Sequence, residues 1–253
     1  MSFRIQKRII SALLRREFIA LTNKSLFGLM VLVLEPLIFV GAMSIVILAR
    51  VSSLPDVPVM AFVISGYIIM WGVRFHIQRA IGILNTNISF LYHKNVKILD
   101  IFIARGLMQC MATTFCFILL VVLIAVGAIK FPDNAALVIY SWFFVQWYGL
   151  SMSILTGSIS GYHPLGMRIC LIIAVCHVFM TGAFFMVSWV PAPYRDIVMV
   201  FPMVHATEMM RDGLFGNTAT TYYSINYLIS SNIVCSYIAL AACRRLVQHG
   251  PQL

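Results

Sequence analysis

The chain has 253 residues, 61% of them hydrophobic and 10% charged, against roughly 25% charged in an ordinary soluble domain. One soluble core cannot enclose that much apolar surface, so lipid must cover the excess. Lys and Arg number 18 against 8 Asp and Glu, but no water-facing segment is long enough to gather them into a nucleic-acid surface, and nucleic acid is excluded as a partner.

Residues 1–27 interleave Phe3, Ile5, Ile9, Ile10, Leu13, Leu14, Phe18 and Leu21 with Arg4, Lys7, Arg8, Arg15, Arg16 and Lys24. This is the pattern of an amphipathic helix lying on an anionic cytoplasmic leaflet. The basic stretch runs straight into a span-length segment, with no short apolar core and small-residue cleavage site. Membrane insertion is therefore expected to begin with the first span itself.

Windows of about twenty apolar residues place six transmembrane helices in a domain over 28–246, near 28–49, 57–73, 106–129, 134–160, 169–190 and 222–243. The expected fold is an all-α integral membrane protein. Basic residues orient it. The N-terminal cations, Arg74, Arg79, Lys94, Lys97 and Arg105 between spans two and three, Arg168 between four and five, and Arg244 and Arg245 after the last fall on one side, leaving Arg50, Lys130, Arg195 and Arg211 on the other. Both termini are expected inside.

Five of the expected spans carry no charged residue; the first contains Glu35, followed by Pro36. An intramembrane carboxylate is costly and should face a partner or a water-filled cavity. It reads either as a translocation-path residue, with Arg74 or Arg105 as ion-pair partner, or as a structural pair at a proline bend.

Two connections are too long for simple turns. The inward one, 74–105, holds Asn85-Thr86-Asn87, a run of capping residues, then the mostly apolar Ile88-Ser89-Phe90-Leu91-Tyr92-His93-Lys94, too short to span. It is expected to form a short helix along the membrane surface or against a partner. The outward one, 191–221, is broken by Pro191, Pro193 and Pro202 into two short helices, near 195–200 and 203–214, with Gly213 and Gly216 as stops. Its mixture of apolar and charged residues suits a re-entrant or interfacial hairpin.

Span four carries Gly149, Ser153, Gly157 and Gly161 at a strict spacing of four, which makes one flat helix face for close backbone approach. A neighbour from the same chain is the expected occupant, with a second copy as the alternative. Before it, Tyr140 to Tyr148 is rich in aromatics, which reads as an interfacial belt. Alternatively Phe143 and Trp147, with Trp71 of span two, line a path on which sugar rings slide over aromatic faces.

The chain has no GxxxxGK[ST] phosphate loop, no HExxH and no GxSxG. The six histidines are dispersed, and the six cysteines lie in apolar runs outside any CxxC spacing, so neither a metal site nor a disulfide framework is expected. With no catalytic motif, the chain is not expected to be an enzyme. A chain of intramembrane carboxylates, as in ion-coupled transport, is also missing.

The string from Asn87 to Val96, followed by Leu99-Asp100-Ile101-Phe102-Ile103-Ala104-Arg105, resembles the segment between spans two and three of ABC-2 type permeases that export capsular polysaccharide from Gram-negative bacteria, the polysialic-acid or group 2 type. Pro202, Glu208-Met209-Met210-Arg211 and Gly213-Leu214-Phe215-Gly216 resemble the same family before its last span. The likeness runs over about 4–246.

The resemblance implies that Asn87, Ile88, Ser89, Phe90, Leu91, Tyr92 and His93 form a coupling helix docking into a separate ATPase, and that 191–215 forms short periplasmic gating helices, with Arg195, Pro202, Glu208 and Arg211 as gate candidates. It further implies an inner-membrane assembly of two permeases and two ATPases that passes a lipid-linked acidic polysaccharide to periplasmic and outer-membrane export proteins. ATP and Mg would be held by the ATPase, with no cofactor on this chain. Six spans rarely enclose a polymer-wide channel, which independently favours a homodimer. Export of another lipid-linked glycan, such as O-antigen or teichoic acid, is the alternative within this class. A membrane-embedded sugar transferase using Asp196, His205, Glu208 and Asp212 is the alternative outside it.

Overall fold

The computed structural model describes residues 3–22, 38–46, 58–88 and 96–250. Helix α1 spans Phe3–Thr22, and residues 38–46 are also helical. Helix α2 is Val59–Ala80, α3 Ile83–Thr86, α4 Ile98–Ala125, α5 Ala135–Tyr162 and α6 Pro164–Phe179. The 3₁₀ turn Val187–Trp189, α7 (Ala192–Val198), α8 (Pro202–Phe215), the 3₁₀ turn Gly216–Thr218 and α9 (Ile225–His249) follow. Among the described residues no strand occurs.

Among the described residues four helices, α2, α4, α5 and α9, are long and apolar enough to cross a membrane, and α6 is a shorter apolar helix. Their outward faces keep large apolar side chains exposed, among them Met111, Phe115 and Ile118 of α4, Ile169 and Ile172 of α6, and Val234 and Tyr237 of α9. In water such continuous patches would drive aggregation; in lipid they are the required surface.

Three helix boundaries differ from the apolar windows, each for a local reason. Helix α2 continues past Val73 through Arg74 and Arg79 to Ala80, with Arg79 in its last turn, where a cation suits the helix dipole. Helix α4 starts at Ile98 rather than near Gly106 because Asp100 in its first turn accepts the Lys97 N–H at 3.1 Å and closes the N-terminus. The window 169–190 is not one helix: α6 runs from Pro164 to Phe179, and Gly182, at φ 71, takes the left-handed conformation that turns the chain back. The two short outward helices stand close to their expected places, at Ala192–Val198 and Pro202–Phe215.

Helix α5 is the hub. A Cβ added at Gly149 would meet the His76 ring of α2 at 2.7 Å, one at Gly157 the Phe102 ring of α4 at 2.6 Å, and one at Gly161 Leu84 of α3 at 2.7 Å. The small-residue face therefore receives neighbours of the same chain, as expected, and at these three glycines it packs closer than an added Cβ allows without a shift. Gly72 opposite Val145 and His76 opposite Gly149 make α2 parallel to α5, while Phe102 opposite Gly157 and Phe117 opposite Trp142 make α4 antiparallel. On another side of α5, the Trp147 indole donates to Ser236 of α9 at 2.9 Å, and Ser151 and Ser236 hydroxyls lie 2.8 Å apart. One end of the bundle thus gathers the starts of α2, α5 and α9. The other gathers Ala80, Ile98, Tyr162 and His249.

Two apolar cores follow from this arrangement. The larger joins α2, α5 and α8 through Ile64, Ile68, Val145, Met203 and Met209; the smaller joins Leu13 of α1 to Leu84, Phe102, Ala239 and Leu246.

Candidate functional site

Helix α8 lies at the end of the bundle where α2, α5 and α9 begin, and all of its residues except Pro202 and Asp212 are buried. It fits there because its crossing points are small or self-satisfied. A Cβ at Gly213 would stand 2.8 Å from the Asn134 carbonyl, and the Gly213 carbonyl accepts the Asn134 N–H at 3.0 Å. The Ser141 hydroxyl of α5 donates to the Ala206 carbonyl at 2.6 Å, and the Thr207 hydroxyl to the Thr181 carbonyl at 2.6 Å.

At the centre is Arg211, fully buried. Its guanidinium donates to the carbonyls of Gly182 at 3.0 Å, Ala183 at 2.9 Å and Phe185 at 2.6 Å, and stands 4.1 Å over the Phe62 ring of α2. Glu208, one helical turn back, lies 3.5 Å away. Its two oxygens accept the Val187 N–H at 3.3 Å and the Tyr222 N–H at 3.1 Å. Burial pushes the Glu208 carboxyl up from its ordinary range, against the pull of Arg211 and these two amides. Burial likewise brings the Arg211 guanidinium down to about 10, with Glu208 opposing. A charge so placed is tolerated only where hydrogen bonds replace its water, and the turn after α6 supplies three carbonyls for that purpose. The pair therefore fastens the 181–187 turn, α8 and the entry to α9 into one unit.

Around it, the Ser224 N–H donates to His205 Nδ1 at 2.9 Å, so Nε2 carries the proton and donates to the Met199 carbonyl at 2.8 Å. Burial holds this imidazole below its ordinary pKa. Asp212 accepts from Thr221 at 3.0 Å and from the Tyr223 hydroxyl at 2.9 Å. Arg195 of α7 donates to the carbonyls of Val190 at 2.8 Å and Ser188 at 3.2 Å, and to the Tyr222 hydroxyl at 3.2 Å. Pro202 occupies the first turn of α8, where its missing N–H costs nothing. The four gate candidates are thus brought together in one region, with Arg211 and Glu208 inside it and Arg195 toward its surface.

A second cluster lies at the opposite end. Helix α1 runs along α4: Gln6 donates to Asp100 at 3.0 Å, and Glu17 pairs with Arg105 at 2.8 Å. Arg16 donates to the Asn87 side chain at 2.7 Å. Asn87 also donates to the Ile83 carbonyl at 2.8 Å. Helix α1 therefore holds both flanks of the 88–97 segment. Within the expected coupling helix only Asn87 and Ile88 are described; Ser89, Phe90, Leu91, Tyr92 and His93 lie outside the described residues, as does Glu35. Among the described residues, Arg105 pairs with Glu17.

The aromatic candidates separate into two groups. Trp71 belongs to an aromatic cluster between α2 and the helical segment 38–46, with ring centroids 6.3 Å from Phe39, 5.7 Å from Tyr67 and 5.0 Å from Phe75, and the Arg74 guanidinium 4.6 Å from its ring. Phe143 is exposed and touches Phe144, while Trp147 is turned toward α9. The structure does not bring Trp71 together with Phe143 and Trp147. Sequence reading missed Gln6, Glu17 and Phe62. A lone acid on a basic helix could have flagged Glu17; nothing in the pattern marks Gln6 or Phe62.

Among the described residues, four helices of membrane-crossing length and apolarity, α5 being the hub on which the other three pack, with large apolar side chains on their outward faces, are the architecture of an α-helical membrane protein. No family model matches the chain. Among curated proteins it is 32% identical, over 95% of its length and 91% of theirs, to the capsule polysaccharide export inner-membrane protein CtrC of Neisseria meningitidis serogroup B. It is 32% identical to the protein of the same description, BexB, of Haemophilus influenzae, over 94% of this chain and 91% of that one. The polysialic acid transport protein KpsM of Escherichia coli is 24% identical over 96% and 95%. The chain belongs to the family of capsule polysaccharide export inner-membrane proteins.

Proposed function

We propose that the chain is the transmembrane permease subunit of an ATP-driven ABC exporter that moves lipid-linked capsular polysaccharide across the inner membrane to the periplasm. The observation that carries this reading is the 32% identity to capsule export proteins along almost the whole chain. The membrane-length helices and their exposed apolar faces agree with it.

In this reading six spans cross the membrane with both termini inside, two copies form the channel, and two ATPase subunits drive it. The sequence has no phosphate-binding loop, so ATP and Mg belong to the ATPase. Residues Asn87 to His93 are the handle through which force arrives, and α1 steadies it. Helices α7 and α8 stand at the outward end, where Arg195, Pro202, Glu208 and Arg211 shape the exit toward periplasmic and outer-membrane export proteins. Trp71 and Arg74 are the path candidates that lie together; Phe143 and Trp147 sit apart from them, nearer a lipid or partner face.

Co-purification with the cognate ATPase tests the handle. Wild-type chain should bring the ATPase with it, and Phe90→Ala with Tyr92→Ala should release it and stop export. Retention of both association and export would place the handle elsewhere.

A further inference from the structure

Where the α5–α6 turn meets the last turns of α9, an open groove of about 660 Å³ runs into the bundle, within the range of pockets that bury most of a small ligand. Ile159, Leu165, Ile169 and Ala242 make its walls apolar, and Arg245 and His249 stand at the end of α9. Among the described residues no acidic side chain lines it. Both side chains are exposed. His249 is held in place by the Arg245 carbonyl at 2.9 Å and by the Tyr162 ring, whose centroid is 6.0 Å from its own. The apolar wall continues along α6, where Ile169 is 51% and Ile172 64% exposed, so the groove opens onto surface that faces hydrocarbon in a membrane-embedded chain.

We propose that this groove binds an anionic phospholipid, with its phosphodiester at Arg245 and His249 and one acyl chain between α6 and α9. The charge pattern selects this occupant. A fully apolar partner helix would leave the Arg245 guanidinium facing an uncharged surface, and a free anion would leave the apolar walls uncovered. A headgroup phosphate joined to a hydrocarbon chain matches both. The Arg245 guanidinium, at a helix end close to the interface, is well placed for this chemistry and contributes about 1 kcal/mol or roughly fivefold in lipid preference.

The purified full-length protein in neutral detergent is offered phosphatidylglycerol and phosphatidylcholine at equal concentration, and retained lipid is counted by native mass spectrometry. Wild type should keep phosphatidylglycerol in preference. Arg245→Gln with His249→Gln should lose at least about fivefold of that preference. Ala242→Trp, which fills the apolar wall and leaves Arg245 and His249, should lose retention as well. Thermal unfolding of both variants verifies that each is folded. Unchanged retention in both variants overturns the proposal. Full retention in Ala242→Trp alone reduces the binding to surface charge and overturns it, as does release of the lipid by millimolar inorganic phosphate. No retained lipid on wild type, with Ala242→Trp changing the oligomeric state, assigns the groove to a second copy and overturns it too.

Discussion

Arg211 and Glu208 stand 3.5 Å apart, one turn along α8 and almost wholly shielded from solvent, yet their other partners differ in kind. Arg211 is held by three carbonyls of the turn after α6 and by the Phe62 ring; Glu208 is held by two backbone amides. Truncating Arg211 takes the charge partner from the carboxylate, which keeps its two amides, and the donor from all three carbonyls. Arg211→Ala should therefore lower stability by about 3–5 kcal/mol, as expected when one member of a buried pair is removed. Glu208→Gln keeps shape and one acceptor and leaves Arg211 its carbonyls, so it should cost about 1–3 kcal/mol. Thermal unfolding in detergent ranks the two, and an equal or reversed ranking would contradict this account of the cluster.

His205 gives the outward end a pH dependence. Its neutral ring must accept the Ser224 N–H at Nδ1, and burial holds its pKa below 6.5. A folded pKa below the unfolded one means that this contribution is complete above pH 6.5 and fades as pH falls through the lowered value. Acidification from neutrality should lower the melting temperature of wild type more than that of His205→Gln. Parallel pH profiles would show that the ring does not titrate in the native state.

The small-residue face of α5 predicts a graded response. Gly157 faces the Phe102 ring and Gly149 the His76 ring at sub-contact distance. Gly157→Leu and Gly149→Val should each destabilise by about 1–3 kcal/mol through overpacking. Gly41, with nothing within 4 Å of an added Cβ and no positive φ, is the control for space alone. Denaturation midpoints of the purified variants decide the point.

Much of the helical content was legible because composition and windows of apolar residues carry it. The small-residue face could be read because a spacing of four on a helix has one geometric meaning; its neighbours could not, since His76, Phe102 and Leu84 come from three other elements. Charged residues in an apolar chain misled most. Arg74, Arg79 and Arg105 looked like loop, yet they sit on α2 and α4, because helix ends accommodate cations and Glu17 reaches Arg105 from α1. The window 169–190 looked like one span, but Gly182 turns the chain so that three carbonyls converge on a buried arginine nearly thirty residues later. No local pattern encodes that encounter.

Helix α1 should matter to coupling through the residues that hold the flanks of 88–97. Arg16→Ala removes the bond to Asn87 and Gln6→Ala the bond to Asp100, hydrogen bonds worth about 1 kcal/mol each, and the double variant should fold and insert. It should nonetheless lower export per ATP hydrolysed in the assembled transporter. Unchanged stoichiometry in reconstituted vesicles would separate α1 from the coupling segment.

Capsule export itself tests the central claim most directly. A strain lacking this chain, complemented with wild type or with Phe90→Ala plus Tyr92→Ala, is stained for surface capsule and fractionated for intracellular polysaccharide. Wild type should restore surface capsule. The deletion and the double variant should leave lipid-linked polysaccharide inside the cell at undiminished synthesis. Normal surface capsule in the deletion strain would contradict the assignment as an export permease.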